Sequence, residues 1–340
     1  MSAGINTCAL LAKVQLEADS IWADNAKQKD YIGSVETLTA IRANQTVRFD
    51  ELENPMKDKT VTLYWNDMCD TETTTCTDDC TVGGTKPGTL CQDYSLNICR
   101  EVDFSVDEKA YRAVASTFEE AIAKSLLYKM KVLDEYLTSQ AVTALDAGKG
   151  VNAYTGGKGT VAGFATTIPA AYWNASLFGY LSLVAKVNKF NSPYLISGTN
   201  LYEAAFNASA NNANADGKGA NALFKTLPIY FDVDNIDSVQ GQVSYLVNRN
   251  ALAFVSKTYN NWSASDAQAN KYGGTGSSAG FRYQVESKNL PGVFYDVIYK
   301  IACSGNEITH NWKVQFNGGI FRNPVGCNPN NTNILELTCS

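Results

Sequence analysis

The sequence holds a single histidine, His310, among 340 residues. A Ser-His-Asp triad would have to use it, and the G-x-S-x-G string at Gly276–Gly280 lies in a Gly- and Ser-rich tip with no helix pattern after it, so it does not read as a nucleophile elbow. His310 stands near Trp312 in a stretch with strand patterning, so it reads as a structural side chain rather than a catalytic base. Glycine-lysine loops fail as phosphate cradles. Gly157-Lys158 is followed by Gly159, and Gly217-Lys218 by Gly219, where a P-loop needs Ser or Thr. Charge is sparse: Asp, Glu, Lys and Arg make up 18% of the chain, against about a quarter in ordinary domains. The net charge of −6 and a pI near 5.0 exclude a basic nucleic-acid footprint. No apolar run approaches the roughly 18 residues of a membrane span. Residues 1–22 lack the basic region and apolar core of a secretory signal. No C-x-x-C pair occurs, so zinc-ribbon spacing is missing.

What is present is a large apolar fraction, 45% of the residues, enough for one large or two medium domains. Asn, Thr, Ala and Tyr take the place of the missing charge, giving a polar, weakly charged surface suited to protein contacts. The strongest pattern spans residues 107–147. Tyr111, Val114, Phe118, Ile122, Leu126, Met130, Leu133, Leu137, Ala141 and Leu145 recur at steps of three or four, the helix period. The spacing predicts one helix of about 60 Å. Ser105 or Asp107 would cap its start, and Gly148 and Gly150 would end it. The mean step of about 3.8 disfavours a heptad seam, so the helix reads as a strut that other elements lie across.

Residues 3–40 show weak helical stripes, Leu10, Leu11, Val14 and Ile21, then Val35, Leu38 and Ile41, and read as an arm packing on something else. Val47, Phe49, Val61, Leu63 and Trp65 alternate as strands do. A Thr- and Cys-rich segment follows, and Ile98–Val102 leads back as a strand into the helix. The stretch 45–104 reads as a thin two-stranded excursion, unstable alone. Val47, Leu63, Tyr64 and Trp65 on it would form an exposed apolar patch, the mark of an interface. Beyond a Gly/Thr loop at 148–167, a second helix is predicted over 169–190, a strand at 193–197 and a helix at 200–211. Strand material follows around 228–231, within 243–259 and at 281–287, 294–302 and 309–316. The fold class is α+β.

Five of nine cysteines cluster: Cys69, Cys76, Cys80, Cys91 and Cys99. Three states are open to them: zinc held through Cys76 and Cys80 with a third member, disulfides within or between subunits, or reduced thiols. Cys303, Cys327 and Cys339 pose the same question. Asp70, Asp78 and Asp79 lack the spacing of a calcium loop.

This order of parts resembles the major capsid protein of tailed bacteriophages, the Hong Kong 97-type fold. The resemblance is carried by the arm, the hairpin returning into a long helix, the run Ser192-Pro-Tyr-Leu-Ile-Ser-Gly-Thr-Asn-Leu-Tyr202, the segment Tyr245–Phe254, and Asn289-Leu-Pro-Gly-Val-Phe-Tyr-Asp296 before the closing strands. It implies an N-terminal arm (1–44), an E-loop with a Cys-rich tip (45–104), a peripheral (P) domain (105–190, spine helix 107–147), an axial (A) domain (191–302), and return strands with a C-terminal tail (303–340). It further implies a non-enzymatic shell subunit forming hexamers and pentamers of an icosahedral head around double-stranded DNA. Its partners would be itself, portal, scaffolding or decoration proteins, and DNA without sequence specificity, with no cofactor and no membrane. A weakly acidic inner face would keep such a shell from sticking to its genome. The family's lysine–asparagine crosslink does not carry over, because Lys57, Lys59, Lys86, Asn323 and Asn328 match its positions too loosely. The competing reading is a secreted or surface-displayed glycan-binding or adhesin module. Thr/Asn richness, aromatics and clustered cysteines favour it; the missing signal and the uninterrupted helix oppose it.

Overall fold

The computed structural model describes residues 7–49, 60–66, 89–111, 117–174, 176–202, 204–206, 227–240, 242–259, 271–272, 280–304, 307–324 and 333–339. In chain order the helices are α1 (Thr7–Ala23), α2 (Asn25–Gln28), α3 (Glu36–Asn44), α4 (Phe118–Ala147), α5 (Ser176–Val187) and α6 (Val233–Gln240). The early strands are β1 (Arg48–Phe49), β2 (Thr60–Asn66), β3 (Thr89–Ser95) and β4 (Ile98–Asp107). After α4 come β5 (Thr160–Ala162), β6 (Ala165–Ile168), β7 (Tyr194–Ser197), β8 (Ile229–Phe231), β9 (Val243–Val247) and β10 (Leu252–Ser256). The chain closes with β11 (Lys271–Tyr272), β12 (Gly280–Glu286), β13 (Phe294–Ser304), β14 (Glu307–Arg322) and β15 (Ile334–Cys339). The mixture is α+β, as expected.

The spine helix α4 starts eleven residues later than the periodicity predicts. Val102, Phe104 and Val106 alternate inward while Glu101, Asp103 and Ser105 face out. That period of two extends β4 to Asp107, paired along its length with β14 from Ile98↔Gly318 to Asp107↔Thr309. A single 3-10 turn, Glu108–Tyr111, follows. The cap is neither Ser105 nor Asp107 but Thr117, whose hydroxyl accepts from the Glu120 N–H at 3.2 Å. The stop is as expected: the Gly148 N–H bonds to the Ala144 carbonyl, and a Cβ there would meet Ile334 at 2.9 Å. At 30 residues α4 is about 45 Å long.

The spine carries buried side chains on more than one face. Ile122, Leu126, Met130, Leu133, Leu137 and Leu145 supply the expected stripe, and Ala121, Ala123, Leu127 and Val142 a second. α1 and α3 pack on it, as do α6 and the sheet containing β14 and β4. That sheet runs β10-β14-β13-β12-β11, with β4 also on β14. Leu252, Phe254, Tyr295, Val297, Tyr299, Val314 and Phe316 face the spine.

A second six-stranded sheet runs β5-β6-β15-β9-β7-β8. Its central strands are covered on both faces, so they read as near-continuous apolar runs. Tyr194, Ile196, Tyr245 and Val247 join the core around α4. Leu195, Leu246, Leu335 and Leu337 pack with Leu177, Phe178, Leu181 and Val184 of α5. Two sequence expectations change here. The loop at 148–167 carries the β5–β6 hairpin. The second helix begins only at Ser176, after a 3-10 turn at Ala170–Tyr172. The last strand, β15, which no sequence pattern marked, lies between β6 and β9. The helix expected at 200–211 opens with a 3-10 turn at Thr199–Leu201 and is α-helical at 202 and 204–206; residues 203 and 207–211 lie outside the described ones.

Candidate assembly site: hairpin root, arm and spine

The hairpin is rooted in its own subunit. β1, β2 and β3 form a three-stranded sheet. Val61, Leu63 and Trp65 are buried on one face of β2 against Ala253 and Val255 of β10 and Phe321 of β14, with Val47 partly buried beside them. The expectation of an exposed patch at Val47, Leu63, Tyr64 and Trp65 is corrected. Odd-numbered residues of β2 turn inward and dock on the outer face of the spine sheet, leaving the half-exposed Tyr64 on the opposite face. The Trp65 indole donates to the Tyr94 hydroxyl at 3.2 Å, and the Tyr94 ring lies 4.7 Å from Phe321. Gln45 adds a second tie. Its amide donates to the Phe254 carbonyl at 3.3 Å and accepts from the Phe254 N–H at 2.8 Å.

The arm packs on the spine as the stripe suggested, through buried Leu10, Leu11, Val14, Ala18 and Ile21. Two buried carboxylates, which no stripe pattern reveals, fix the stretch between α2 and α3. Asp134, inside α4, accepts from the Tyr295 hydroxyl at 2.5 Å, the Ser287 hydroxyl at 2.9 Å and the Asn289 amide at 3.1 Å. Asn289 in turn donates to the Tyr31 carbonyl and accepts from the Gly33 N–H. Burial raises the Asp134 carboxyl to about 6, against the pull of those hydrogen bonds. Asp232 accepts from the Thr37 N–H at 3.0 Å, the Ser34 hydroxyl at 3.1 Å and the Asn235 amide at 2.8 Å. At the other end of the spine, Lys149 bridges Asp146 at 2.7 Å and Glu336 of β15 at 2.5 Å.

Cys91, Cys99 and Cys339 are exposed free thiols. Cys69, Cys76 and Cys80 lie outside the described residues, so zinc and disulfide readings of the five-cysteine group are neither joined nor separated by the structure. Among the described residues no three His, Cys, Asp or Glu side chains come together to hold a metal. Burial pushes the Cys339 thiol up. Maleimide labelling of the native protein at pH 7 is therefore expected to modify Cys339 several-fold more slowly than Cys91 and Cys99, the thiolate being the reacting species. Peptide mapping of a time course checks this. His310 is fully buried in β14, which supports its structural reading.

No protein-family model matches the sequence, and no curated protein does either. Solved structures do. A chain titled "Cyanophage A-1(L) capsid asymmetric unit" superposes with a TM-score of 0.52 at 11% identity, covering 86% of this chain and 93% of that one. The chain has the fold of a phage capsid subunit. Weaker superpositions include the Staphylococcus phage Andhra capsid structure (TM-score 0.45, 9% identity, 86% and 84% covered) and a Mycobacterium phage Adephagia chain (0.42, 14%, 90% and 90%).

In this capsid fold the large apolar side chains left exposed include two groups, besides Leu90, Val151 and Val233. Leu16 of α1, Ile32 and Tyr128 of α4 belong to the arm and spine. Phe164, Tyr172, Leu183, Val187, Tyr202 and Phe206 belong to the β5–β6 hairpin, α5 and the 199–206 segment. No helix among the described residues is long and apolar enough to cross a membrane.

Proposed function

We propose that the chain is the major capsid protein of a tailed bacteriophage, which assembles with copies of itself into a shell of hexamers and pentamers around double-stranded DNA. The observation that carries this reading is the whole-length likeness to the A-1(L) capsid chain, over 86% of one and 93% of the other. The physics agrees. The spine, buried along most of its length, makes a rigid bar, and the exposed apolar side chains on arm, spine and α5 are suited to burial by neighbouring copies. Tyr64, on the outward face of the hairpin, is the member of the original patch still placed to touch a neighbour. The division into arm, E-loop, P and A domains, and partnership with portal, scaffolding or decoration proteins, belong to the same reading. So does the absence of enzymatic activity, which the buried and hydrogen-bonded state of the sole histidine favours.

Negative-stain electron microscopy of the expressed protein, with size-exclusion and light scattering on the same sample, tests the reading. Shells, tubes or hexamers are expected. A monodisperse 36.9 kDa monomer at every concentration and salt would overturn it.

A further inference from the structure

The junction between β4 and the spine is built around the only histidine. The His310 ring lies in the β14 ladder between Val106 and Ile301, with no exposed surface. Phe118, the first residue of α4, meets the ring edge-on at 4.7 Å, and Tyr299 lies nearly parallel at 5.8 Å. One nitrogen is engaged: Nδ1 is 2.6 Å from the Tyr299 hydroxyl. The other, Nε2, faces the Glu108 carboxylate at 4.0 Å, beyond the roughly 2.7–2.9 Å of a charge-assisted hydrogen bond. Glu108 opens the 3-10 turn, Glu108–Tyr111, that links β4 to the segment leading into α4. Strand, turn and helix start thus meet on one imidazole.

Burial keeps the Tyr299 phenol protonated, so it can donate to Nδ1; in that arrangement the neutral ring carries its own hydrogen on Nε2, toward the carboxylate. We propose that His310 and Glu108 form a proton-operated latch at the entry to the spine: a proton taken from solvent by the imidazole draws the Glu108 carboxylate across the gap into an ion pair and re-seats the 108–111 turn. On protonation Nδ1 gains the hydrogen, Tyr299 turns from donor to acceptor, and Nε2–H becomes a charged donor. The Glu108 oxygen must then approach by about 1 Å to reach ion-pair distance. The charged groups that act on His310 are Glu108 and Asp107, both on the β4 side, and both favour the cation; Phe118 from the helix and Tyr299 from β13 bring no charge. Burial opposes the cation and sets its onset below the ordinary 6.5. The closed pair forms in mild acid and opens near neutrality.

This inference rests on the geometry of the junction and stands apart from the shell reading. The test uses the full chain in whatever assembly it adopts. Deuterium exchange at the imidazole C2 position, read by mass spectrometry, gives the titration of the one histidine directly. Backbone amide exchange of residues 107–111, corrected for the intrinsic pH dependence of an unstructured reference, is followed in parallel. The expected result is an imidazole midpoint below 6.5, with amide protection at 107–111 changing roughly fivefold around that same midpoint. In Glu108→Gln the imidazole midpoint falls further, by roughly threefold in proton affinity, and the amides lose their coupled change. Amides that stay flat through the parent's imidazole titration overturn the latch, a reading that needs no variant. An unchanged midpoint in Glu108→Gln overturns it as well.

Discussion

Asp134→Asn is expected to be at least as stable as the parent at pH 7.5, and to lose about half of the parent's decline in stability between pH 4 and 6. Asp134 has its carboxyl raised by burial from 3.8 to about 6, despite hydrogen bonds from Tyr295, Asn289 and Ser287. The folded state then binds the proton more tightly than the unfolded chain does. Stability falls as pH rises from about 4 to 6, and the loss is complete above 6, where the folded carboxylate is ionised. One such group is worth about 3 kcal/mol. Asp296 behaves alike. Burial raises it to about 6, against the Tyr259 N–H and the charge of Arg282. The single variant therefore removes one of the two such contributions among the described residues, and Asp134→Asn with Asp296→Asn removes both. Chemical denaturation at half-unit pH steps, with light scattering holding the assembly state constant, is the measurement. A variant less stable than the parent at pH 7.5, with the full slope retained, would mean that the ionised clamp stabilises the fold. Asp134→Ala should go the other way, by about 1–3 kcal/mol, since it strands the Ser287, Asn289 and Tyr295 donors.

Trp65→Ala is expected to detach the hairpin while leaving the body folded. Trp65 is buried with Val61 and Leu63 in a small cluster of its own, apart from the core around α4. Removing a large buried ring costs about 3–5 kcal/mol, and here the indole's bond to Tyr94 goes with it. Three short strands with one apolar face have little else to hold them. Limited proteolysis should then cut within β2 and β3 at enzyme levels that leave the parent intact, while the near-ultraviolet signature of the buried tyrosines around α4 stays unchanged. Loss of that signature, or a cleavage pattern like the parent's, would show that the hairpin is not an independently docked unit.

The spine was legible because Ile122, Leu126, Met130, Leu133, Leu137, Ala141 and Leu145 repeat at the helix step and all are buried. Its start was not, because Tyr111 and Val114 happen to continue that step backwards while Val102, Phe104 and Val106 carry the competing period of two. The ladder with β14 decides between them, and its partner lies some two hundred residues away. Leu63 and Trp65 show the same limit. Alternation identified the strand and its apolar side, but not that the chain covers this side itself with Ala253, Val255 and Phe321. Asp134 was invisible for the opposite reason. A carboxylate one residue beyond Leu133 reads as solvated until Ser287, Asn289 and Tyr295 arrive from distant sequence. The cysteine cluster was conspicuous, yet spacing alone does not determine its chemical state.

Gln45 gives the subunit a sealed border. β10 is the outermost strand of its sheet among the described residues, and an unpaired strand border invites another chain to extend it without limit. One glutamine amide, bonded to both the N–H and the carbonyl of Phe254, occupies the place a recruited strand would take. Growth from one polypeptide into the next is thus discouraged along this line, and association there falls to side chains, whose fit can terminate at a closed number of copies where a growing ribbon would not.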